Sequence, residues 1–262
     1  MSLVTFEMIE GVGTITVDNP PINLMDREVM HQLSLAIDAL EQARPRAVLV
    51  RSVGDHFGAG VNIGATFVGV DAVQARAFIQ KGLFDVMRLE DYPAPIICAV
   101  QGLCFAAGLE LALRCDIIFA ARSAKFAQVE QHIGATTYLG GGHLLAERCG
   151  PARAREICFT GATYSAESFE RWNIVNYVVE DGELQSKAFE FAKTLAHGPT
   201  LAHAASKRLV REYIDHGTRA ADRLLLDVGT PLFDSKDFRA GVDGVVTLGA
   251  KNFRGKIPFT GT

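Results

Sequence analysis

The stretch AVQGLCFAAGLELALRCDIIFA, Ala99 to Ala120, carries the reading of the fold. It begins as a run apolar on both faces, breaks at Gly102, and passes through small residues that suit a helix start near Ala107. It closes on a second apolar run, CDIIFA, which Ala121 continues. Two strands without a polar face, joined through a short helix, describe a parallel sheet covered on both sides. One residue does not belong to that pattern. Glu110 sits where a carboxylate loses the water that stabilises its charge, so it needs either a partner or a task.

The same cycle recurs along the chain. VTFEMIE and GTITVDN, parted by Gly11 and Gly13, read as an opening hairpin that NPPIN ends. Val29, Leu33, Ala36, Ile37 and Leu40 recur at three and four, which predicts a helix from Met25 to Ala43 stopped by Pro45. The strand RAVLVRS follows, then a helix over Val73–Leu89, a break at Pro93 and Pro95, and the buried strand IICAVQG. This alternation gives an α/β architecture. After about Asn176 the character changes, with long amphipathic patterns from Gly182 to Gly249. The expected division is a core over 1–198 holding the active site and a C-terminal helical segment over 199–262, suited to oligomerisation.

Composition sets the outer limits. The 262 residues are 48% hydrophobic and 21% charged, ordinary globular usage with room for a sizeable core. With 26 basic against 30 acidic residues the net charge is -4, which does not suit a nucleic-acid surface. The five cysteines (Cys98, Cys104, Cys115, Cys149, Cys158) form no C-x-x-C pair and read as reduced core thiols. The start lacks a signal-peptide pattern, and nowhere do 18 apolar residues run together, so the expectation is a cytoplasmic protein with no membrane partner.

Two glycine-bracketed loops follow buried strands. In DHFGAGVNIGAT, Asp55–Thr66, the spacing of Gly58, Gly60 and Gly64 misses a dinucleotide fingerprint by one residue. A plain turn and a carbonyl-binding loop both remain open. QGLCFAAG leads into the helix near Ala107, whose first N–H groups have no internal partner and lie at the positive end of the dipole. Should the Ala59 and Ala107 amides converge, they would stabilise an enolate oxygen. Glu110 lies one turn after Ala107, and Glu130 follows the strand-like AKFAQV. Two carboxylates beside an anion-stabilising hole can divide acid and base work. The competing reading for each is an ion pair, Glu110 with Arg114 or Glu130 with a distant base. LGGGH, Leu139–His143, lacks the G-K-[ST] of a nucleotide-hydrolysing loop. No metal site is expected from His132 and His143, and His56 reads as a surface residue. Met25, Met30, Phe78 and Phe84 sit at helical spacings that core packing explains.

In order and spacing, NPPIN, FGAGVNI, AVQGLCFAAGLELALRCDIIFA, AKFAQVEQHIGA and GGGHLLAERCG together resemble the enoyl-CoA hydratase/isomerase (crotonase) superfamily over almost the whole chain. The resemblance implies a crotonase-like spiral of β-β-α units with a C-terminal helical segment, assembled as a homotrimer or hexamer. It implies an acyl-CoA thioester as substrate and no separate cofactor. Ala59 and Ala107 match the oxyanion-hole donors, and Glu110 and Glu130 match the two hydratase glutamates, the first mainly a base toward water and the second mainly an acid to Cα. Isomerases resembling this pattern often keep only the residue matching Glu130, so retention of both favours hydration. Gly58, Gly60, Val61, Asn62, Ile63, His132 and Tyr138 are the expected substrate contacts. The chain departs from the family in Asn62, usually Asp, and in Ala106 and Ala107, usually glycine. An isomerase, hydrolase or lyase of another acyl-CoA, and a non-catalytic acyl-CoA-binding protein, are the alternatives.

Overall fold

A computed structural model describes residues 2–262. Its first elements are the hairpin β1 (Val4–Ile9) and β2 (Val12–Val17), paired from Val4–Val17 to Ile9–Val12. Helix α1 (Arg27–Ala43) starts two residues later than its apolar spacing suggests. Asp26 caps it, accepting from the Glu28 and Val29 N–H groups, and the five spaced apolar residues are all buried.

From there the chain winds in repeating units: β3 (Ala47–Ser52), β4 (Gly58–Ala59), α2 (Ile63–Phe67) and α3 (Ala72–Glu90); β5 (Ile96–Val100), β6 (Leu103–Phe105) and α4 (Ala107–Leu113); β7 (Ile117–Ala121), β8 (Lys125–Ala127), a 3-10 turn over Glu130–Ile133 and α5 (Gly141–Cys149). In each unit the first strand joins one sheet and the second joins another. The six-stranded sheet runs β1-β2-β3-β5-β7-β10, parallel apart from the hairpin, and the four-stranded sheet runs β4-β6-β8-β9. This is the expected spiral of β-β-α units. It continues through α6 (Pro151–Thr160), β9 (Tyr164–Ser165), α7 (Ala166–Arg171) and β10 (Tyr177–Val179), then α8 (Leu184–Ala196), α9 (Thr200–His216), α10 (Thr218–Gly229) and α11 (Lys236–Leu248).

Between Asn176 and the helices that begin at Leu184, close to the expected Gly182, β10 closes the sheet edge beside β7. Asn176 accepts from the Ile118 N–H at 2.8 Å, joining that last strand to the core. All five residues of β5 are buried, as a central strand with both faces covered requires. Three of the five cysteines, Cys98, Cys104 and Cys115, lie in this core as free thiols. No helix among the described residues is long and apolar enough to cross a membrane.

A single contact fixes how closely α4 packs on β4. A Cβ at Gly108 would overlap the Gly58 carbonyl, so the two elements approach at a distance only glycine permits. That approach sets the loop after β4 beside the start of α4.

Candidate active site

Between the start of α1, helix α3, the loop after β4, helix α4 and the 3-10 turn lies a cavity of about 420 Å³. Ala59, Gly60, Val61, Ile63, Ala107, Glu110, Glu130, His132 and Tyr138 all stand on its wall. Two other expected contacts do not. Gly58 is buried against Asn23, Met25 and Gly108, and Asn62 accepts from the Ala65 N–H at 3.1 Å as the N-cap of α2. Capping is a task Asn performs as well as Asp, which accounts for the departure at this position.

The backbone donors require a correction. The Ala59 N–H is already engaged, donating to the Ile22 carbonyl at 3.0 Å. Two residues on, the Val61 N–H has no protein partner among the described residues, because the Met25 N–H bonds the Gly60 carbonyl and turns the chain there. Gly60 makes that turn at φ +96°. The Ala107 N–H, first in α4, is likewise without a protein partner among the described residues. The free pair of amides on the cavity wall is therefore Val61 and Ala107. Ala106, just before, adopts φ 47° and ψ -121°, a region ordinarily reserved for glycine.

Glu110 is 2% exposed, yet it forms no ion pair with Arg114 or any other base among the described residues. Its Oε1 accepts from the Leu139 N–H at 2.7 Å and from the Gly141 N–H at 2.9 Å. Gly141 is the first residue of α5, so the carboxylate takes up a donor that helix geometry leaves free, at the positive end of the dipole. Burial raises the Glu110 pKa, and the amides of Gly141, Leu139 and Tyr138, followed by Arg114, reduce that rise without cancelling it. Burial and, more weakly, the Glu110 charge push Glu130 up to about 7, against its own backbone N–H. The buried Gln128 lies beside Glu130, and its amide NH2, when turned toward that carboxylate, is placed to donate to both oxygens at 2.9 and 3.0 Å. Two carboxylates thus face one cavity, the first held by backbone donors and the second disposed to carry a proton near neutrality.

Much of the remaining wall is apolar. Met25, Met30 and Phe78, which helical spacing assigns to the core, line the cavity, whereas Phe84 is exposed. Phe67 stands between Phe78 and Tyr138, with ring centroids 6.2 and 6.3 Å apart, forming an aromatic edge to the cavity. His56 is not a plain surface residue. Its Nδ1 accepts from the Leu103 N–H at 3.2 Å and ties the loop before β4 to β6. Gln128 and Val61 are the residues hardest to assign from sequence, since an amide two residues from a carboxylate and a free N–H carry no periodic signal.

A family model described as enoyl-CoA hydratase/isomerase matches residues 7–256. The chain is 30% identical over 263 residues to the 1,2-epoxyphenylacetyl-CoA isomerase of Escherichia coli (strain K12), covering 98% of this chain and 100% of that protein. It is 34% identical over 199 residues to the carnitinyl-CoA dehydratase of Salmonella agona (strain SL483), covering 75% and 76% respectively. A crystal structure from Geobacillus kaustophilus HTA426, described as enoyl-CoA hydrates subunit I, superposes with a TM-score of 0.91 at 29% identity, covering 99% of this chain and 98% of that one.

Proposed function

This chain belongs to the enoyl-CoA hydratase/isomerase family, and from that premise we propose that it is an enoyl-CoA hydratase, adding water across the 2,3 double bond of a 2-enoyl-CoA. The observation that carries the reading is the pairing of Glu110 and Glu130 on one cavity wall with two amides, Val61 and Ala107, that have no protein partner among the described residues. In the proposed reaction the thioester oxygen accepts from those amides. Glu110 takes a proton from water as its oxygen bonds to Cβ, and the electron pair of the double bond passes onto the thioester as an enolate. Glu130 then delivers a proton to Cα, giving the 3-hydroxyacyl-CoA. Fixed donors aimed at the developing charge are worth several kcal/mol, roughly 10²–10³ in rate for one donor.

The environments of the carboxylates support this division of labour. Both pKa values are raised by burial, but Glu110 has two N–H donors on one oxygen and Arg114 nearby to favour its charge, which suits it to the base, and Glu130, raised to about 7, suits the proton donor. Because their charges interact, the two titrate as a pair. A dehydration is a hydration run in reverse, so the relative named as a dehydratase fits the same two-carboxylate chemistry. The relative named as an isomerase keeps a second reading in view, isomerisation of an acyl-CoA; in a double-bond isomerase, Glu130 alone would move the proton. We further propose that 199–262 form the oligomerisation segment, in a homotrimer or hexamer of a cytoplasmic enzyme.

The test is direct. Incubated with the purified protein, crotonyl-CoA and longer 2-enoyl-CoAs should lose the absorbance of the conjugated thioester. Glu110→Gln and Glu130→Gln should each lose most of that rate. If the thioesters bind and remain unchanged, the hydratase reading fails; if Glu110→Gln keeps full activity while Glu130→Gln is inactive, the isomerase-like use of one carboxylate takes its place.

A further inference from the structure

Glu110 owes its orientation to two peptides, those that carry the Leu139 and Gly141 N–H groups, and the peptide between them is gripped by another side chain. Leu139 gives its N–H to Glu110, and its carbonyl oxygen accepts from Arg114 Nε at 3.1 Å and Nη2 at 2.6 Å. Arg114 follows Glu110 by one turn and is 5% exposed. Its remaining nitrogen, Nη1, pairs with Glu90 at the end of α3. The other oxygen of Glu90 pairs with Arg211 on α9, which also lies 3.8 Å from Glu147 and 3.9 Å from Asp215.

The loop is shaped around this guanidinium. Gly140 adopts φ +110°, and a Cβ there would overlap Arg114. A connected line therefore runs from Arg211 through Glu90 and Arg114 to the Leu139–Gly140 peptide, and so to the two adjoining peptides whose N–H groups hold Glu110. A planar guanidinium can hold one carbonyl with two N–H groups while pairing elsewhere, which an ammonium cannot do in the same fixed geometry.

We propose that Arg114 is a positioning residue for Glu110: it clamps the Leu139–Gly140 peptide by its carbonyl, fixes the loop whose flanking Leu139 and Gly141 N–H groups orient the carboxylate, and is held in turn by Glu90 and Arg211. The proposal rests on the reading of Glu110 as the base toward water. It makes Arg114 more than one half of a buried ion pair, and it extends the support of the site to a helix of the C-terminal segment.

Two measurements separate this role from a merely structural one. The first needs no turnover. In protein carrying ¹³C-labelled glutamate, with the Glu110 signal assigned by its loss in Glu110→Gln, Arg114→Met should move the Glu110 titration upward. The charged or titratable groups facing that carboxylate are Arg114 from its own helix, Glu130 from the 3-10 turn and Cys158 from α6, with His143 of α5 beside Gly140 behind the loop. Only Arg114 changes, so the direction is fixed.

The second is the kinetic profile with a 2-enoyl-CoA. Arg114→Met should lower kcat about 10- to 100-fold, the scale on which small displacements of a catalytic group are felt, with KM within about two-fold. The acidic limb of the rate should move upward with the Glu110 titration. Arg114→Lys, which keeps a charge beside Glu90 and guards against failure to fold, should fall between wild type and Arg114→Met. The double variant Glu90→Gln/Arg114→Met, which leaves no unpaired buried charge, should remain as slow as Arg114→Met. An unmoved Glu110 titration in folded Arg114→Met, or recovery of wild-type kcat in the double variant, overturns the clamp. If wild type turns over no 2-enoyl-CoA while the Glu110 titration shifts in Arg114→Lys, which keeps the charge but not the two-donor grip, as well as in Arg114→Met, the functional reading fails and the clamp stands.

Discussion

Ala106 holds a backbone conformation that costs a residue with a Cβ of order 1–3 kcal/mol, and it does so at the turn that aims the Ala107 amide. Ala106→Gly removes that strain, offset in part by the larger unfolded-state entropy of glycine, about 0.5–1 kcal/mol. The net expectation is a gain of about 1 kcal/mol in unfolding free energy, read from the urea midpoint at unchanged slope. Glu130 gives a second expectation, opposite in kind because it depends on pH. Its pKa is raised from 4.5 to about 7 in the folded protein, so the native state holds the proton more tightly than the unfolded chain does. Its favourable contribution is whole below 4.5 and is lost as pH rises through 7. Glu130→Gln should therefore be more stable than wild type at high pH by about 1–2 kcal/mol, after allowance for its partial exposure, while losing activity. Urea denaturation near neutral-to-alkaline and near acidic pH checks this. A gap that stays constant across the range would contradict the raised pKa.

At the scale of elements, the cavity depends on places where a helix gives up a side chain. Gly82 lies inside α3, where glycine costs roughly 1 kcal/mol relative to alanine, and a Cβ there would stand 3.3 Å from both Leu139 Cδ2 and Met30 Cε. The missing side chain keeps space open between two apolar walls of the cavity. Gly82→Val should lower kcat/KM for an eight-carbon 2-enoyl-CoA by about ten-fold or more and change crotonyl-CoA by less than about three-fold, in line with the discrimination one or two methyl groups supply. Equal loss with both substrates would place Gly82 outside the acyl path. The same scale explains what could be read from the sequence. Helix α1, strand β5 and the start of α4 announce themselves because period and charge are local properties, and Glu110 stands out for the same reason. The choice between the Ala59 and Val61 amides is not local. It turns on the Ile22 carbonyl, delivered by a segment before α1, and on the Met25 N–H that takes the Gly60 carbonyl. The cavity roles of Met25, Met30 and Phe78 are hidden similarly, since an apolar stripe reads alike whether it faces a core or a substrate.

Across the whole molecule, apolar exposure is uneven. The core of the two sheets buries its large side chains, but α9, α10 and α11, with the 3-10 turn over Thr230–Asp234, leave Val210, Tyr213, Leu226, Phe233 and Val246 in the open, Leu226 at 65% and Val246 at 80%. Scattered apolar residues are ordinary on a protein surface, whereas many on successive helices are the mark of an association site. The proposed oligomer gives these helices a partner, and the Arg211–Glu90 pair places one of them in line with the cavity. Sedimentation equilibrium at micromolar protein should give a trimer or hexamer. Leu226→Asp combined with Val246→Asp should shift it toward a monomer, because two carboxylates then have to lose water in an apolar interface. A wild-type protein that sediments as a monomer would detach the C-terminal helices from assembly and leave their exposed side chains without that explanation. Should the double variant become monomeric and lose kcat while retaining the wild-type Glu110 titration, assembly supports the site by a route other than the Arg114 clamp.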